Sequence, residues 1–160
     1  WEDICFNSGP IVGVDFMMDI VAPRYKRIHD LLAKHGCVIS MTDCDGNVNP
    51  ILNAFRAGGL NCLFPVEVHG GTDPVEIRKK YPDMRFQGGF CKMRLAESKE
   101  SIRTELERIR PVVEEGGFIP GVDHRVQADV PLENYRYYLK LKREILGVGG
   151  TPQYDESKIG

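Results

Sequence analysis

Apolar residues recur along the chain at two kinds of spacing, which predict alternating helices and strands. Ile102, Leu106, Ile109 and Val113 are separated by four, three and four positions, which places them on one face of a helix. By contrast, residues 37–41 (CVISM) form a short and nearly continuous apolar run. Such a run is typical of a strand that is buried on both faces of a parallel sheet.

Residues that favour helix ends separate these segments. Asn49-Pro50 and Asp73-Pro74 each pair a capping side chain with a proline suited to the first helical turn, and Glu76 adds a near capping box. Gly36 suits the end of the preceding helix. The pattern predicts five strands and five helices, the strands at 1–5, 37–41, 60–65, 84–89 and 118–120 and the helices at 14–34, 49–57, 73–81, 98–115 and 132–146.

The first predicted helix, residues 14–34, contains a proline at position 23, which predicts a break or kink there. Its apolar residues recur at helical spacing and are expected to supply its buried face. They are Phe16, Ile20, Ile28, Leu31 and Leu32.

The alternation of strands and helices, with no hairpin signal between them, predicts an α/β fold of parallel βα units. Two architectures fit this pattern: an open doubly wound sheet, and part of a (β/α)₈ TIM barrel. A complete barrel takes about 250 residues, so a chain of 160 would supply only part of one. The chain contains neither a GxGxxG nor a Walker sequence, the motifs that would favour a nucleotide-binding sheet.

Composition narrows the function classes. A net charge of −2 gives no basic field for nucleic acid, and no apolar run approaches the length of a membrane span. No signal peptide is visible, and the five cysteines are odd in number with no CxxC pair. We therefore expect a cytoplasmic protein without a disulfide framework.

Polar side chains follow several of the predicted strands at the point where each strand ends. Parallel sheets and barrels assemble their sites from such positions, because the carboxyl ends of the strands meet at one face. The residues concerned are Asp3, Asp43, Cys44, Asp45, Glu67, His69, Asp123 and His124.

The order of the segments resembles the uroporphyrinogen decarboxylase superfamily. WEDICFNSGP at 1–10 is similar to the aromatic-acidic stretch of that family, and PRYKRIHDLLAKHG at 23–36 to its Pro-Tyr-Lys-Arg-Ile helix. TDCDGNV at 42–48 stands at its His-x-Cys-Gly or His-Ser-Asp-Gly-Asn turn. FPVEVHGGTDPVEIRKKY at 64–81 and GGFIPGVDHRVQADVPLEN at 116–134 match later motifs, the last resembling its Gly-His…Pro-x-Glu-Asn signature.

The resemblance implies that the chain is the C-terminal part of a TIM barrel. We predict one partial barrel domain, residues 1–147, and a flexible C-terminal tail, residues 148–160. The N-terminal part of the family fold, which carries an Arg and an Asp central to decarboxylation, has no counterpart here. The chain alone is therefore expected to be inactive, and to pair with a missing N-terminal barrel part or with itself.

The resemblance also implies a candidate metal site. In the methyltransferase branch of the superfamily, a His and a Cys in this turn hold zinc. Asp43 stands in place of that His and Asp45 in place of that Cys, which argues against a thiolate-rich site. The predicted metal ligands are Asp43, Asp45, Glu67 and His124, with zinc as the candidate ion. The alternative is an Asx-type turn at Asp45-Gly46-Asn47 that binds nothing.

Other roles are assigned through the same resemblance. Asp3, Glu67 and His124 are the predicted substrate-binding residues, and Asp45 and His124 the predicted catalytic residues. Asp123 is expected to orient the ring of His124. The structural alternatives are a loop carboxylate for Asp3, a salt-bridged rim residue for Glu67 and a histidine bonded to a backbone carbonyl for His124. His69 is expected to be a solvated loop histidine.

Three functions fit this reading. The first is metal-assisted methyl transfer, with a small molecule or a corrinoid protein as methyl donor and the corrinoid as co-substrate. The second is decarboxylation of a uroporphyrinogen-type tetrapyrrole, in which carboxylates accept hydrogen bonds from pyrrole N–H groups. The third is a catalytically inactive binding fragment of such a barrel. Metal content separates the first function from the second.

Overall fold

The computed structural model describes residues 3–147 of the chain. Residues 148–160, predicted to be a tail, lie outside the described range, as do residues 1–2. In chain order the elements are β1 (Cys5–Phe6), β2 (Gly9–Pro10), α1 (Val14–Phe16), a π-helical segment (Met17–Val21), α2 (Ala22–Lys34), β3 (Met41–Asp43), a 3₁₀ turn (Asn49–Ile51), α3 (Leu52–Ala57), β4 (Cys62–Val66), α4 (Pro74–Lys80), β5 (Arg85–Phe90), α5 (Met93–Glu97), α6 (Lys99–Glu114), β6 (Phe118–Val122) and α7 (Leu132–Leu146).

Strands β3 to β6 form one parallel sheet in chain order. Thr42 lies opposite Leu63 across the first pair of strands, and Phe86 lies opposite Phe118 across the last. Each crossover contains at least one helix: α3, then α4, then α5 and α6. The predicted α/β class is therefore confirmed, and four parallel βα strands are consistent with part of a TIM barrel.

The helix predicted from the spacing of Ile102, Leu106 and Ile109 is α6, and all three side chains are fully buried. Its first turn is capped by Ser98, whose hydroxyl accepts a hydrogen bond from the backbone N–H of Ser101 at 3.0 Å. The Asp73 carboxylate caps α4 in the same way. The capping residues and the apolar spacing were sufficient to locate these helices, because the apolar face that the spacing predicts is the face that packs against the sheet.

The prediction for residues 37–41 is wrong in two respects. The strand begins only at Met41, and the residues before it are not strand. The strand is also not buried on both faces, because Met41 is 42% exposed. The Val38 and Ile39 side chains before the strand are exposed as well, Val38 by 74%. Within the described residues β3 pairs only with β4, so it lies at an edge of the sheet and nothing covers the apolar run.

The first predicted helix is present but its predicted face is not buried. Its apolar residues are exposed to between 38% and 57%; they are Phe16, Ile20, Ile28, Leu31 and Leu32. The interruption expected near Pro23 is the π-helical segment that joins α1 to α2. Proline has no backbone N–H, so regular α-helical hydrogen bonding cannot pass through it, and a wider turn precedes it.

The N-terminal segment also differs from its prediction. Within the described residues it forms a two-stranded antiparallel hairpin of β1 and β2, where a strand at 1–5 without a hairpin was expected. Asn47 donates a backbone hydrogen bond to the carbonyl of Phe6 at 3.0 Å, so the hairpin is attached to the loop after β3. The hairpin therefore lies at the carboxyl end of the parallel sheet, although its own two strands form a separate sheet.

Among residues 3–147, helices cover one face of the parallel sheet, and most of the other face is open. Thr42 and Phe118, which face the helices, are 2% and 8% exposed, whereas their neighbours Met41 and Ile119 are 42% and 68% exposed. Parallel sheets are usually buried on both faces. Among residues 3–147, no helix is long and apolar enough to cross a membrane.

Candidate functional site

A cavity of about 400 Å³ opens at the carboxyl ends of the strands. The loops after β3 and β6 supply most of its polar wall, and the N-terminal segment supplies one more carboxylate. Its lining residues are Asp3, Asp43, Asp45, Phe64, Pro65, Val122, His124 and Arg125. Five residues were predicted to bind metal or substrate or to act in catalysis, and four of them border this cavity. Glu67 is the exception.

Three carboxylates converge at this cavity. Asp3, Asp43 and Asp45 each offer an oxygen, and these oxygens all lie within 4.8 Å of one another. The backbone N–H of Asp45 donates to Asp3 Oδ1 at 2.9 Å, which fixes the N-terminal segment beside the loop. Like charges this close repel each other unless a cation or hydrogen-bond donors stand between them, so the arrangement suits a ligand of that kind.

His124 joins this group through Asp45. The ring Nε2 lies 3.1 Å from Asp45 Oδ2, and both side chains are about one-third exposed. Partial burial raises the pKa of Asp45, the charge of His124 opposes that shift, and the charges of Asp3 and Glu67 add to it. A carboxylate with a raised pKa beside an imidazole is a pair through which a proton can pass.

Glu67 lies behind the carboxylate group, where both of its oxygens have protein partners. Oε1 accepts a hydrogen bond from Lys92 Nζ at 2.7 Å, and Oε2 accepts one from the backbone N–H of Gly46 at 2.8 Å. Burial alone would raise the pKa of Glu67, but these hydrogen bonds lower it below its ordinary value. Glu67 is thus an ion-paired residue beneath the loop, and the structure does not bring it into the group of three aspartates.

Asp123 does not orient the His124 ring as expected. Its side chain is fully buried, and its oxygens accept backbone hydrogen bonds from Lys92 at 2.8 Å and from His69 at 3.2 Å. Burial raises the pKa of Asp123. Asp123 therefore fixes the backbone of the loops after β4 and β5, and the described partner of the His124 ring is Asp45. The His69 side chain is exposed, as predicted.

Cys44 points away from the cavity. Cys44 is 2% exposed, and its thiol donates a hydrogen bond to the backbone carbonyl of Asp45 at 3.7 Å. Cys5 is also buried. The pKa of Cys44 is lowered to about 7. The Cys5 side chain makes the largest contribution, and backbone hydrogen bonds of Ile4 and Cys5 add to it, whereas burial opposes it. Cys44 is therefore not among the residues that line the cavity.

Two basic residues of this region were missed by reasoning from the sequence. Lys92 follows β5 at the same end of the sheet, and its ammonium group is almost completely buried against Glu67. Arg125 lines the cavity next to His124. The position of Lys92 after a predicted strand was a usable signal, but a lysine at a strand end is usually solvated.

Comparisons with known proteins give one informative similarity. No protein-family model and no solved structure matches the chain. A curated protein, uroporphyrinogen decarboxylase from a Hydrogenobaculum species, is 28% identical over 106 residues. The match covers 60% of this chain but only 30% of the length of that enzyme. With the parallel βα sheet, this similarity supports a relationship between the chain and the uroporphyrinogen decarboxylase superfamily, as the motifs predicted.

Proposed function

We propose that the chain contributes to a metal-assisted methyl transfer in which a corrinoid is the co-substrate. The observation that carries this proposal is the convergence of Asp3, Asp43 and Asp45 beside His124 at the strand ends. The related barrels place their chemistry at this face. The methyl donor is a small molecule or a corrinoid protein.

The donor set fits a divalent cation held mainly by oxygen. Carboxylates bind zinc and also suit harder ions such as magnesium or manganese, whereas a thiolate site would need Cys44, which is buried and does not line the cavity. Asp3, Asp43 and Asp45 would hold the ion. A bound ion would act as a Lewis acid toward the methyl acceptor.

Two other polar residues of the cavity have roles in this proposal: His124 transfers a proton, and Arg125 binds an anionic group. His124 would exchange a proton with Asp45 along the hydrogen bond between Nε2 and Asp45 Oδ2, and the Asp45 carboxylate would stabilise the charged ring. Arg125 at the same cavity offers a cationic partner for an anionic group of a substrate.

Zinc binding tests the proposal. We expect the chain to bind about one zinc ion by calorimetry, and Asp43→Asn combined with Asp45→Asn to abolish binding, because two of three ligands lose their charge. Asp129→Asn, which removes the charge of an exposed aspartate away from the cavity, is the control and should bind zinc normally. Absence of binding to the unsubstituted chain would overturn the metal proposal.

Decarboxylation of a tetrapyrrole is the second candidate, and the similarity to a uroporphyrinogen decarboxylase favours it. In that case the same carboxylates accept hydrogen bonds from pyrrole N–H groups and need no metal. Metal-free binding of uroporphyrin, detected by fluorescence quenching and lost with Asp43→Asn and Asp45→Asn together, would support this candidate. An inactive binding fragment would also bind the porphyrin, but would leave carboxylated substrate unchanged after the missing barrel units are added.

We also propose that the partner of this chain is the remaining set of parallel βα units of a barrel. On this chain, the docking face for that partner would be the edge strand β3 and the exposed side chains of Val38 and Ile39 before it. The neighbouring face of α2, at Ile28 and Leu31, would complete the docking face. Helix α2 leads directly into β3, yet no described strand lies beside β3 on the α2 side. A further parallel strand pairing with β3 would fill that position.

The cytoplasmic location remains a proposal as well. The five cysteines, all within residues 3–147, are free thiols. Free thiols fit a reducing compartment.

A further inference from the structure

Lys92 is a buried cation that the proposed chemistry does not use. Its side chain and that of Glu67 are each 10% exposed, and Lys92 Nζ lies 2.7 Å from Glu67 Oε1. A buried charge is costly to keep unless it is paired and hydrogen-bonded, so the geometry of this pair is tightly constrained.

The second oxygen of Glu67 extends the pair to the loop that carries the aspartates. Oε2 accepts the backbone N–H of Gly46 at 2.8 Å, and the backbone N–H of the preceding Asp45 is held by Asp3. The Thr72 hydroxyl donates to the carbonyl of Gly46, so both sides of this residue are bonded. Three successive peptide groups are therefore fixed by side chains from other parts of the fold.

Glycine is required at this point of the loop. Gly46 has φ +72°, and a Cβ there would lie 2.6 Å from the backbone carbonyl carbon of Phe6. A Cβ on Gly70 would lie 2.7 Å from the Cα of Gly46. The loop after β3 is thus held between the hairpin and the loop after β4, and it has little room to move.

The backbone of Lys92 is held in place by the buried Asp123 side chain. Its backbone N–H donates to Asp123 Oδ1 at 2.8 Å, and the other oxygen of Asp123 accepts the backbone N–H of His69. Asp123 directly precedes His124, the histidine of the cavity. One buried network therefore connects the loops after β3, β4, β5 and β6.

We propose that Lys92 and Glu67 are positioning residues: through the Gly46 amide they hold the loop so that Asp43 and Asp45 face Asp3 and His124. Neither residue lines the cavity. This assigns Glu67 a different role from the metal ligand expected from the sequence. The inference rests on the proposed function only where metal affinity is the readout, because the position of the loop is measurable without metal.

The test compares three variants of the 160-residue chain by NMR of the Gly46 amide. In Lys92→Met, Glu67 loses its cation, so we expect the Gly46 proton to shift and its hydrogen exchange to accelerate at least tenfold. Lys92→Arg should preserve the signal. Lys92→Met with Glu67→Gln should restore it, because a neutral amide oxygen can still accept the Gly46 N–H without a cation.

Zinc affinity should follow the same order, falling about 10–100-fold in Lys92→Met and recovering in the double variant. Lys142→Met is the control, since Lys142 is also partly buried but donates to the carbonyl of Pro120 away from the loop. Circular dichroism establishes that each variant is folded.

An unchanged Gly46 signal in folded Lys92→Met would overturn the inference, as would a double variant that is folded but not rescued. If the unsubstituted chain binds no zinc while the Gly46 signal changes as expected, the metal proposal fails and the positioning role stands.

Discussion

At the scale of the residue, the site depends on a small number of contacts that tolerate no alternative side chain. Gly46 shows this most clearly, because both its backbone conformation and its surroundings exclude a Cβ. The position matters for function since the residue before it is Asp45, which contacts both Asp3 and His124. A disturbance of this loop would therefore separate the carboxylates.

Gly46→Ala should destabilise the protein more than Gly36→Ala. Both glycines have positive φ, +72° and +81°, but a Cβ at Gly36 meets nothing within 4 Å. The left-handed conformation alone costs about 1–2 kcal/mol for a residue with a Cβ. We expect Gly36→Ala to lose about that much free energy of unfolding and Gly46→Ala to lose about 2 kcal/mol more, since the backbone of Phe6 must shift.

Urea denaturation of both variants measures the difference. Equal losses in the two variants would show that the loop after β3 has more room than the structure gives it.

The carboxylates of the site were predictable one by one, but their arrangement was not. Strand ends identified Asp43, Asp45 and His124, because parallel strands bring their carboxyl ends to one face. The burial of Glu67 and its pairing with Lys92 depend on how four loops pack, and no local pattern contains that information. The role of Asp123 differs from the predicted orientation of the His124 ring for the same reason, since its partners are backbone groups of distant loops.

At the scale of the element, periodicity predicted which helices exist but not which of their faces are buried. Helix α6 buries its apolar face against the sheet. Helix α2 has a comparable apolar pattern and leaves it exposed, because no element among residues 3–147 covers that face. Periodicity identifies an apolar face, whereas burial also requires a partner.

Two leucine substitutions in helices test this difference. Leu106→Ala in α6 should cost about 2–5 kcal/mol of unfolding free energy, because it opens a cavity in the core. Leu31→Ala in α2 should cost less than about 0.5 kcal/mol, because that side chain is 57% exposed. Chemical denaturation gives both values. A loss at Leu31 as large as that at Leu106 would mean that the face of α2 is covered in solution.

At the scale of the whole molecule, the parallel sheet that the structure describes has four strands, an edge at β3 and one largely open face. Alternation of strands and helices predicted the βα architecture, and the strand count is what a partial barrel would show. An exposed parallel edge with apolar neighbours readily pairs with another chain.

We expect the isolated chain to self-associate through the edge at β3 when the remaining βα units are absent. Light scattering should give a mass above 18.0 kDa, and the dye ANS should bind. Val38→Lys with Ile39→Lys should shift the chain toward monomer, because charges beside an edge strand oppose pairing. Leu132→Lys, at another exposed apolar position, is the control. A monodisperse monomer that binds no ANS would contradict the proposed docking face.

The central claim is that the strand-end carboxylates hold a cation, and zinc-edge anomalous diffraction from crystals grown with zinc tests it most directly. The account predicts a single strong peak at about 2.0–2.2 Å from oxygens of Asp43 and Asp45, the usual zinc–carboxylate distance. A well-diffracting crystal with no peak in this cavity, or with zinc bound only elsewhere on the surface, would contradict it.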